Sequence, residues 1–427
     1  MTSASAAWPK ARLGYLVREM GGSTPSKDRP EFWGGAVPWV SPKDMKVERI
    51  SDSIDHVTEA ALAGTSLRQV PVGSVLLVVR GMILAHTVPV ALTDAPVTLN
   101  QDMKALLPGR RLSGSYLRYC LQAHQGLLLA LVEEAGHGTR CLRSEQWRKF
   151  EVPVPPVPTQ KAIAAFLDRK TAAIDALIEK KQKLLDLLAE KRAALINQAV
   201  TKGLDPNVPM KDSGIPWIGD IPAHWDTRRI STFSTKITNG YVGPTRGLFV
   251  EEGVRYLQSL HIKANQIRFT PPYFVPEEWS LQKRKSILAE GDVLVVQTGD
   301  IGQVAVVPED WAGANCHALI VISTIKAAMN GEFLAWALNS PYGFASLKSI
   351  QTGALHPHLN CGLVREVPIP CPPIPEQRDI VGAVDRLVGS ERTNRQAVEA
   401  QIERLYEYRQ ALITAAVTGQ IGTEELT

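Results

Sequence analysis

The chain has 427 residues, of which 44% are hydrophobic and 21% are charged, with a formal net charge of +4. This length exceeds what a single core normally serves, so we expect at least two domains, and the mild charge neither requires nor excludes nucleic acid. The five cysteines form no CxxC pair, no apolar run reaches the length of a membrane span, and no secretory signal is recognisable, which predicts a cytoplasmic protein without disulfides or a membrane partner.

The first part of the chain, residues 1–157, alternates apolar runs with turn residues. VLLVVR at 75–80 is typical of a buried strand, and Gly, Pro, Asn and Asp separate such runs. Residues 114–134 favour a helix. We therefore expect a mixed α/β domain in this part of the chain.

A long helix is predicted over residues 158–202, because no Gly or Pro occurs from Thr159 to Lys202 and most residues there are strong helix formers. The proline at 158 fits the first turn, where its missing N–H is not needed. Residues 203–224 are rich in Pro and Gly and are predicted to be a linker. Residues 225–374 repeat the mixed pattern, and residues 375–427 predict a second long helix.

The two halves of the chain are related by an internal repeat of 217 residues. PPVPTQKAIAAFLD at 155–168 matches PPIPEQRDIVGAVD at 372–385 in six of fourteen positions, and ALINQAVTK at 194–202 matches ALITAAVTG at 411–419. GSVLLVVRG at 73–81 matches GDVLVVQTG at 291–299, where the offset has grown by one. The chain is therefore predicted to be one unit written twice, with diverged middle parts.

Both long helices are apolar at seven of ten positions when they are stepped in a heptad pattern from Ile163 and Ile380. The pattern predicts that the helices form an antiparallel coiled coil with a pseudo-two-fold axis. A helix of ~40 residues is ~60 Å long and would hold the two domains apart. The predicted seam consists of Ile163, Leu167, Ile174, Leu177, Leu184, Leu188, Leu195, Ile380, Val384, Leu387, Val398, Leu405 and Leu412.

Catalytic motifs are weak in this sequence. GGSTPSK at 21–27 fails the spacing of a P-loop, and neither a dinucleotide-binding fingerprint nor HExxH occurs. TPPYF at 270–274 is similar to a loop of amino-methyltransferases, although Thr270 stands at the acceptor position and no methyl-donor loop is evident. HPH at 356–358 has no nearby carboxylate or thiol, which favours a polar loop over a metal site. We therefore expect no catalytic residue and no metal ligand.

The repeated junction, followed each time by a long helix, closely resembles the conserved regions of the specificity subunit of type I restriction–modification systems. GLDPNVPMKDSGIPWIG at 203–219 resembles that family's central linker, and the stretch from GGSTPSK to PKDMK at 21–46 resembles the start of its target-recognition domains. The resemblance covers nearly the whole chain. It implies an α+β fold with two mixed α/β target-recognition domains, at 1–157 and 225–374, separated by two long helices.

The resemblance also implies partners. Two modification (methyltransferase) subunits would dock on the helices, restriction (endonuclease/translocase) subunits would join the complex, and double-stranded DNA would be bound at a bipartite, asymmetric site. The chain itself is expected to be non-catalytic and to bind no cofactor, with S-adenosylmethionine, ATP and Mg²⁺ on the partner subunits. Two alternatives stay open: a self-contained DNA adenine methyltransferase, and a coiled-coil scaffold that does not bind DNA.

Loops that are equivalent under the repeat predict the DNA contacts, because a pseudo-symmetric pair of domains should present equivalent loops to DNA. Arg and Lys suit guanine or phosphate, and Gln suits adenine. The predicted contacts are Ser41, Lys43, Asp44, Lys46, Arg80, Thr139, Arg140 and Arg143 in the first domain, and Gln258, His261, Lys263, Thr298, His356 and His358 in the second.

Overall fold

The computed structural model describes residues 8–134, 138–353 and 355–426. The chain folds into two compact units, the first made of Met1–Lys181 with Glu399–Thr427 and the second of Gln182–Val398. Each of the two long helices is divided between the units. Each unit therefore combines a mixed α/β domain with one segment of each long helix.

The first unit holds twelve strands, four short helices and parts of the two long helices within the described residues. Its strands are β1 Lys10–Arg12, β2 Val17–Gly21, β3 Trp33–Val40, β4 Arg49–Ile50, β5 Asp55–Val57, β6 Val75–Val78, β7 Val90–Thr93, β8 Thr98–Leu99, β9 Met103–Pro108, β10 Glu133–Glu134, β11 Arg140–Cys141 and β12 Glu151–Pro153. Its short helices are α1 Glu59–Gly64, α2 Gly114–Ala123, α3 Gln125–Ala130 and α4 Ser144–Trp147, and the long helix α5 is Val157–Lys202.

The second unit holds thirteen strands, four short helices and the remaining parts of the two long helices within the described residues. Its strands are β13 Met210–Asp212, β14 Asp220–Pro222, β15 Asp226–Arg229, β16 Ser234–Asn239, β17 Val254–Leu257, β18 Ile262–Lys263, β19 Gln266–Ile267, β20 Phe274–Val275, β21 Val293–Val296, β22 Val304–Val306, β23 Asn315–Cys316, β24 Leu319–Thr324 and β25 Pro368–Cys371. Its short helices are α6 Glu277–Gln282, α7 Gly331–Asn339, α8 Pro341–Ser349 and α9 Cys361–Val364, and the long helix α10 is Ile374–Thr418.

The main sheet of the first unit has the strand order β2-β9-β6-β7-β4. Leu76 of the central strand β6 pairs with Ala105 of β9 on one side and with Ala91 of β7 on the other. All four residues of β6 are buried, as expected for the apolar run VLLV inside a sheet. A smaller sheet, β5-β3-β8, has β3 and β8 in parallel, so the ends of these two strands lie side by side.

The second unit has the corresponding sheets. Its main sheet has the order β16-β24-β21-β22, and Leu294 of the buried strand β21 pairs with Val321 of β24. The smaller sheet, β20-β17-β23, again contains one parallel pair, β17 with β23. The repeat in the sequence thus gives each unit one parallel strand pair. In both units the loops that follow these two strands start side by side.

The buried side of each long helix recurs every eleven residues. Ile163, Ile174, Leu185 and Ile196 of α5 are between 1% and 8% exposed. The positions 217 residues later in α10, which are Ile380, Glu391, Ile402 and Ile413, are between 0% and 8% exposed. An eleven-residue repeat equals 3.67 residues per turn, close to the 3.6 of a straight α-helix.

This period corrects the predicted heptad seam. Leu177 and Leu184 were predicted to be in the seam but are 42% and 43% exposed, whereas Ile178 and Leu185 are 8% and 6% exposed. A strict seven-residue repeat drifts by roughly 20° per heptad against a straight helix, and an eleven-residue repeat drifts in the opposite sense, so the predicted and the observed buried sides diverge along α5. Among the other predicted seam residues, the buried ones are Ile163, Leu167, Ile174, Ile380 and Val384, and the half-buried ones are Leu188, Leu195, Leu387, Val398, Leu405 and Leu412.

Polar contacts join α5 to α10 inside each unit. In the first unit, Lys181 Nζ donates to Gln401 Oε1 at 2.6 Å, and Arg409 Nε donates to Asp175 Oδ1 at 2.9 Å. From Asp175 to Lys181 along α5, the contacted residue in α10 goes back from Arg409 to Gln401. These two segments therefore run in opposite directions. In the second unit, Arg192 Nη1 lies 3.6 Å from Glu391 Oε2.

The repeated junction places a glutamine at the same point in each unit. In the first unit the buried Gln160 donates to the carbonyl oxygens of Pro155 (2.8 Å) and Arg111 (2.9 Å) and accepts from the N–H of Ser113 (2.8 Å). Ser113 is the residue before α2, so one side chain joins the start of α5 to the start of α2.

Gln377 makes the corresponding contacts in the second unit. Its side chain donates to the carbonyl oxygens of Pro372 (2.8 Å) and Ala328 (3.3 Å) and accepts from the N–H of Asn330 (2.7 Å), the N-cap of α7. Both glutamines are 0% exposed. The six bonds all end on main-chain atoms, and they explain why the chain contains this junction twice.

Candidate nucleic-acid interface

A continuous chain of main-chain hydrogen bonds brings the predicted loops of the first unit together. Asn100 N donates to Val40 O at 2.9 Å, and Val79 N donates to Asp102 O at 2.8 Å. Leu142 N donates to Val79 O at 2.9 Å. We call the resulting surface the first edge, defined by residues 41–46, 100–102, 80–82 and 139–143.

Arg80 and Arg140 are the centre of the first edge. Arg80 forms an isolated antiparallel bridge with Cys141, and Gly81 N donates to Arg140 O at 3.0 Å. The Arg80 side chain is exposed, Arg140 and Thr139 are half-buried, and Arg143 is exposed and forms an ion pair with Glu133 at 2.7 Å. These cationic groups lie on neighbouring loops, as phosphate or guanine recognition requires.

The loop at 41–46 divides into structural and exposed residues. Ser41 is 5% exposed, and its N–H and hydroxyl both donate to Asp44 Oδ2, at 2.8 and 3.0 Å. Asp44 Oδ1 accepts from the N–H of Ile54 at 2.8 Å. Ser41 and Asp44 therefore shape the loop. The burial of Ser41 corrects its prediction as a DNA contact, whereas the half-buried Asp44 stays a predicted contact. Lys43 and Lys46 are exposed beside them.

An ionic network lies directly behind this loop. The Glu48 carboxylate forms an ion pair with Arg118 of α2. Arg409 Nη2 of α10 lies 2.5 Å from Glu48 Oε1. Arg118 is 1% exposed and also donates to Asp168 Oδ1 of α5 at 2.8 Å. Breaking a buried pair leaves an uncompensated charge, so the network fixes the loop to the helix segments of the first unit.

The second unit presents a corresponding surface. His317 N donates to Leu257 O at 2.8 Å, Leu359 N donates to Gln297 O at 3.0 Å, and Val296 pairs with Leu319. These contacts place the loops after β17, β21 and β23 beside the segment 355–358. We call this surface the second edge, defined by residues 241, 258–259, 297–298, 317 and 355–358.

The second edge differs chemically from the first. Thr298 and His356 are exposed, and Gln258 and His358 are half-buried. Lys263 is exposed but lies on the β18–β19 hairpin next to β22, outside the second edge. Among the described residues the second edge carries no Arg or Lys, whereas the first carries five.

His261 is a core residue, and its prediction as a DNA contact is wrong. It is 0% exposed, and its Nδ1 accepts from the N–H of Gln258 at 2.9 Å. Its Nε2 lies 2.9 Å from Pro271 O, which requires the proton on Nε2. Burial lowers the pKa of His261, and burial likewise lowers the pKa of His317.

We expect the second unit to lose stability in mild acid. Because the folded pKa of His261 is below the unfolded value of about 6.5, the unfolded chain binds the proton first, and stability falls as the pH drops below that value. Denaturation at pH 7.5 and 5.5 should show a smaller acid loss in His261→Asn than in the wild type. The exposed His356→Asn is the control, and an unchanged acid loss in His261→Asn would contradict the assignment.

Sequence reasoning missed several residues of the two edges. Thr24 and Gln101 are exposed and hydrogen-bonded to each other at the first edge, where Met82 is 68% exposed. Tyr241 and His317 lie at the second edge because Tyr241 N donates to Cys316 O at 2.9 Å. The repeat itself contains a signal, since Gly22-Ser23 and Gly240-Tyr241 occupy equivalent positions after β2 and β16.

The methyltransferase-like stretch TPPYF has a packing role. Tyr273 stacks on Phe249 with ring centroids 4.7 Å apart, and the Pro271 carbonyl is bound by His261. Among the described residues, no group of three or more His, Cys, Asp or Glu is arranged to hold a metal ion. Nor does any helix in the described ranges combine the length and apolar character needed to cross a membrane.

Comparison with known proteins agrees with this architecture. The model of the family "type I restriction modification DNA specificity domain" matches residues 7–186 and 250–404. The EcoR124I/EcoR124II specificity subunit of Escherichia coli is 36% identical over 158 residues, which is 37% of this chain and only 39% of that protein. The MjaIX specificity subunit of Methanocaldococcus jannaschii is 25% identical over 98% of this chain and 94% of that protein.

Solved structures share the fold. A chain from a study of complex assembly and conformational transition of the type I R-M system has a TM-score of 0.67 at 16% identity, covering 97% of this chain and 98% of that one. The HsdS subunit of Thermoanaerobacter tengcongensis has a TM-score of 0.51 at 17% identity, with 97% of both chains covered. With the family match over most of its length, the chain belongs to the type I restriction-modification DNA specificity family and is a specificity subunit.

Proposed function

We propose that each unit reads one half of a bipartite, asymmetric DNA site through its edge. The observation that carries this proposal is the pair of edges at equivalent strand ends with different side chains. Arg80 and Arg140 in the first unit correspond to Thr298 and Leu355 in the second. Base edges are distinguished by the donors, acceptors and methyl groups that a protein presents to them, so different side chains at equivalent points select different half-sites.

The helices α5 and α10 form an antiparallel coiled coil in this proposal, with a pseudo-two-fold relation between the halves. The opposite directions of the two segments in the first unit and the equivalent contacts of Gln160 and Gln377 support it. The coiled coil sets the spacing between half-sites and offers a docking surface to two modification subunits. Leu184 and Leu187 are 43% and 53% exposed and would contribute to that surface.

In this proposal the partner subunits carry out methyl transfer and cleavage. The modification subunits hold S-adenosylmethionine and flip the target adenine, and restriction subunits use ATP and Mg²⁺. The specificity chain is non-catalytic and supplies recognition. The packing of Tyr273 inside the second unit favours this role over a self-contained methyltransferase.

The test is a genome-wide map of methylated adenines in the host with and without the gene. One split motif should lose its methylation on deletion. Complementation with Arg140→Ala should then relax one half of the motif only, because an Arg that contacts guanine accounts for about 1–3 kcal/mol of discrimination at its own base pair.

Arg110→Ala is the matched control, since Arg110 is exposed in the first unit but lies after β9, outside the first edge. It should restore the complete motif. A change in both halves with Arg140→Ala would contradict the assignment of one unit to one half-site. An unchanged methylation map after deletion, in a host where the complex is assembled, would favour a scaffold that does not bind DNA.

A further inference from the structure

Thr352 and His358 face each other in an isolated antiparallel bridge at the base of the loop that carries Leu355. Thr352 N donates to His358 O at 3.0 Å, and His358 N donates to Thr352 O at 2.8 Å. Gly353 has a φ of +91°, and a Cβ there would lie 2.6 Å from the His356 carbonyl oxygen. Leu359 anchors the base, since it is 0% exposed and its N–H donates to Gln297.

This loop exposes an apolar side chain to solvent. Leu355 is 91% exposed, the highest value among the large hydrophobic residues that the structure describes. A single exposed leucine is common on protein surfaces, but Leu355 lies on the second edge at the position equivalent to Arg140, where DNA is proposed to bind. The neighbouring Thr298 and His356 are exposed and belong to the same edge.

The first unit has a charged side chain at the equivalent position. There the loop carries Arg140, whose main chain is bonded to Gly81 beside Arg80. Residues 1–150 contain 18 Lys and Arg against 13 Asp and Glu, whereas residues 225–374 contain 13 against 12. The second edge therefore has little capacity for ionic contacts, and its recognition must depend more on neutral and apolar ones.

The major groove of B-DNA is about 12 Å wide and displays the base edges to protein side chains. The one strongly apolar feature of a base pair in that groove is the 5-methyl group of thymine. Resting on the proposed function, we propose that the second edge faces the major groove of its half-site and that Leu355 contacts a thymine methyl group. Leu355 is thereby a specificity-determining residue for a T·A pair, a role that Arg140 plays by charge and hydrogen bonding in the first unit.

The experiment uses the specificity chain assembled with its modification subunits and a duplex that carries the motif found by methylation mapping. Each thymidine of the half-site that Arg140→Ala leaves unchanged is replaced in turn by deoxyuridine, which removes only the methyl group. Loss of one methyl contact should weaken binding by the wild-type complex about four- to tenfold at a single position. The complex with Leu355→Ala should bind more weakly than wild type to the thymidine duplex and show no further loss with deoxyuridine at that position.

Salt dependence separates apolar from ionic readout. The slope of log K against log salt should be unchanged in Leu355→Ala, because the substitution removes no charge. Leu355→Met, which keeps an apolar side chain, should retain the preference for thymidine. Leu281→Ala is the matched control, since Leu281 is 51% exposed on α6 of the same unit and should behave like the wild type.

Several results would overturn the inference. One is a wild-type complex that tolerates deoxyuridine at every position of the half-site, and another is a half-site without any T·A pair. A third is Leu355→Ala that remains as sensitive to deoxyuridine as the wild type. If the wild-type complex binds motif and scrambled duplexes equally, the proposed function fails and this inference fails with it, whereas the first three results leave the proposed function intact.

Discussion

Leu185→Asp is expected to lower the free energy of unfolding of the second unit by about 3 kcal/mol or more. Leu185 is 6% exposed on the buried side of α5, so the substitution removes apolar packing and leaves a carboxylate without a partner. Denaturation should show the loss, and hydrogen exchange should increase along α5 after residue 182 and along α10 before residue 398.

Leu184→Asp is the matched variant, because the neighbouring side chain is 43% exposed. Its effect on stability should stay within about 0.5–1 kcal/mol, as is usual for exposed positions. If the face with Leu184 and Leu187 docks a modification subunit, this folded variant should nevertheless fail to assemble in native mass spectrometry. Equal destabilisation by both variants would contradict the eleven-residue pattern, and normal assembly of Leu184→Asp would place the docking surface elsewhere.

Gln160→Ala should destabilise the first unit by about 3 kcal/mol. The change leaves the Ser113 N–H and the carbonyl oxygens of Arg111 and Pro155 without their partner at a site where Gln160 is 0% exposed. An unsatisfied buried polar group costs about 1–3 kcal/mol, and entry of water would recover part of that. Local hydrogen exchange at the starts of α2 and α5 is the measurement.

Gln377→Ala tests the same contact in the second unit. Its effect should appear at the starts of α7 and α10 and leave the first unit unchanged. The exposed neighbours provide controls, since Lys161→Ala and Arg378→Ala remove side chains of similar size from the same helical turns. A loss of stability that is equal for the glutamine and control variants would show that helix propensity, and not the buried amide, stabilises the junction.

Strong local signals in the sequence located the main elements. The run VLLVVR predicts a strand, and Val75–Val78 is the buried central strand of the first sheet. The absence of Gly and Pro predicts a helix from residue 158, and α5 begins at Val157 and ends at Lys202. These features depend on the chemistry of contiguous residues, which is why sequence reasoning reaches them.

Features that depend on distant partners were not accessible. The heptad pattern fitted seven of ten positions of α5, and the exposure of Leu177 and Leu184 beside the buried Ile178 and Leu185 shows that the buried side follows another period. His261 is as polar in the sequence as an exposed histidine, and its burial depends on the Pro271 carbonyl. Arg409 meets Glu48 across 361 residues of chain, a distance at which no local pattern gives information.

The amide joints made by Gln160 and Gln377 have an evolutionary consequence. Their hydrogen bonds end on main-chain atoms, so the side chains at the contacted positions are free to change, as Arg111 and Ala328 show. A foreign recognition segment that keeps the same backbone path can be received without any adjustment of the helix. New DNA preferences can therefore arise by exchange of whole recognition segments between genes, because the glutamine forms the same main-chain contacts with each segment.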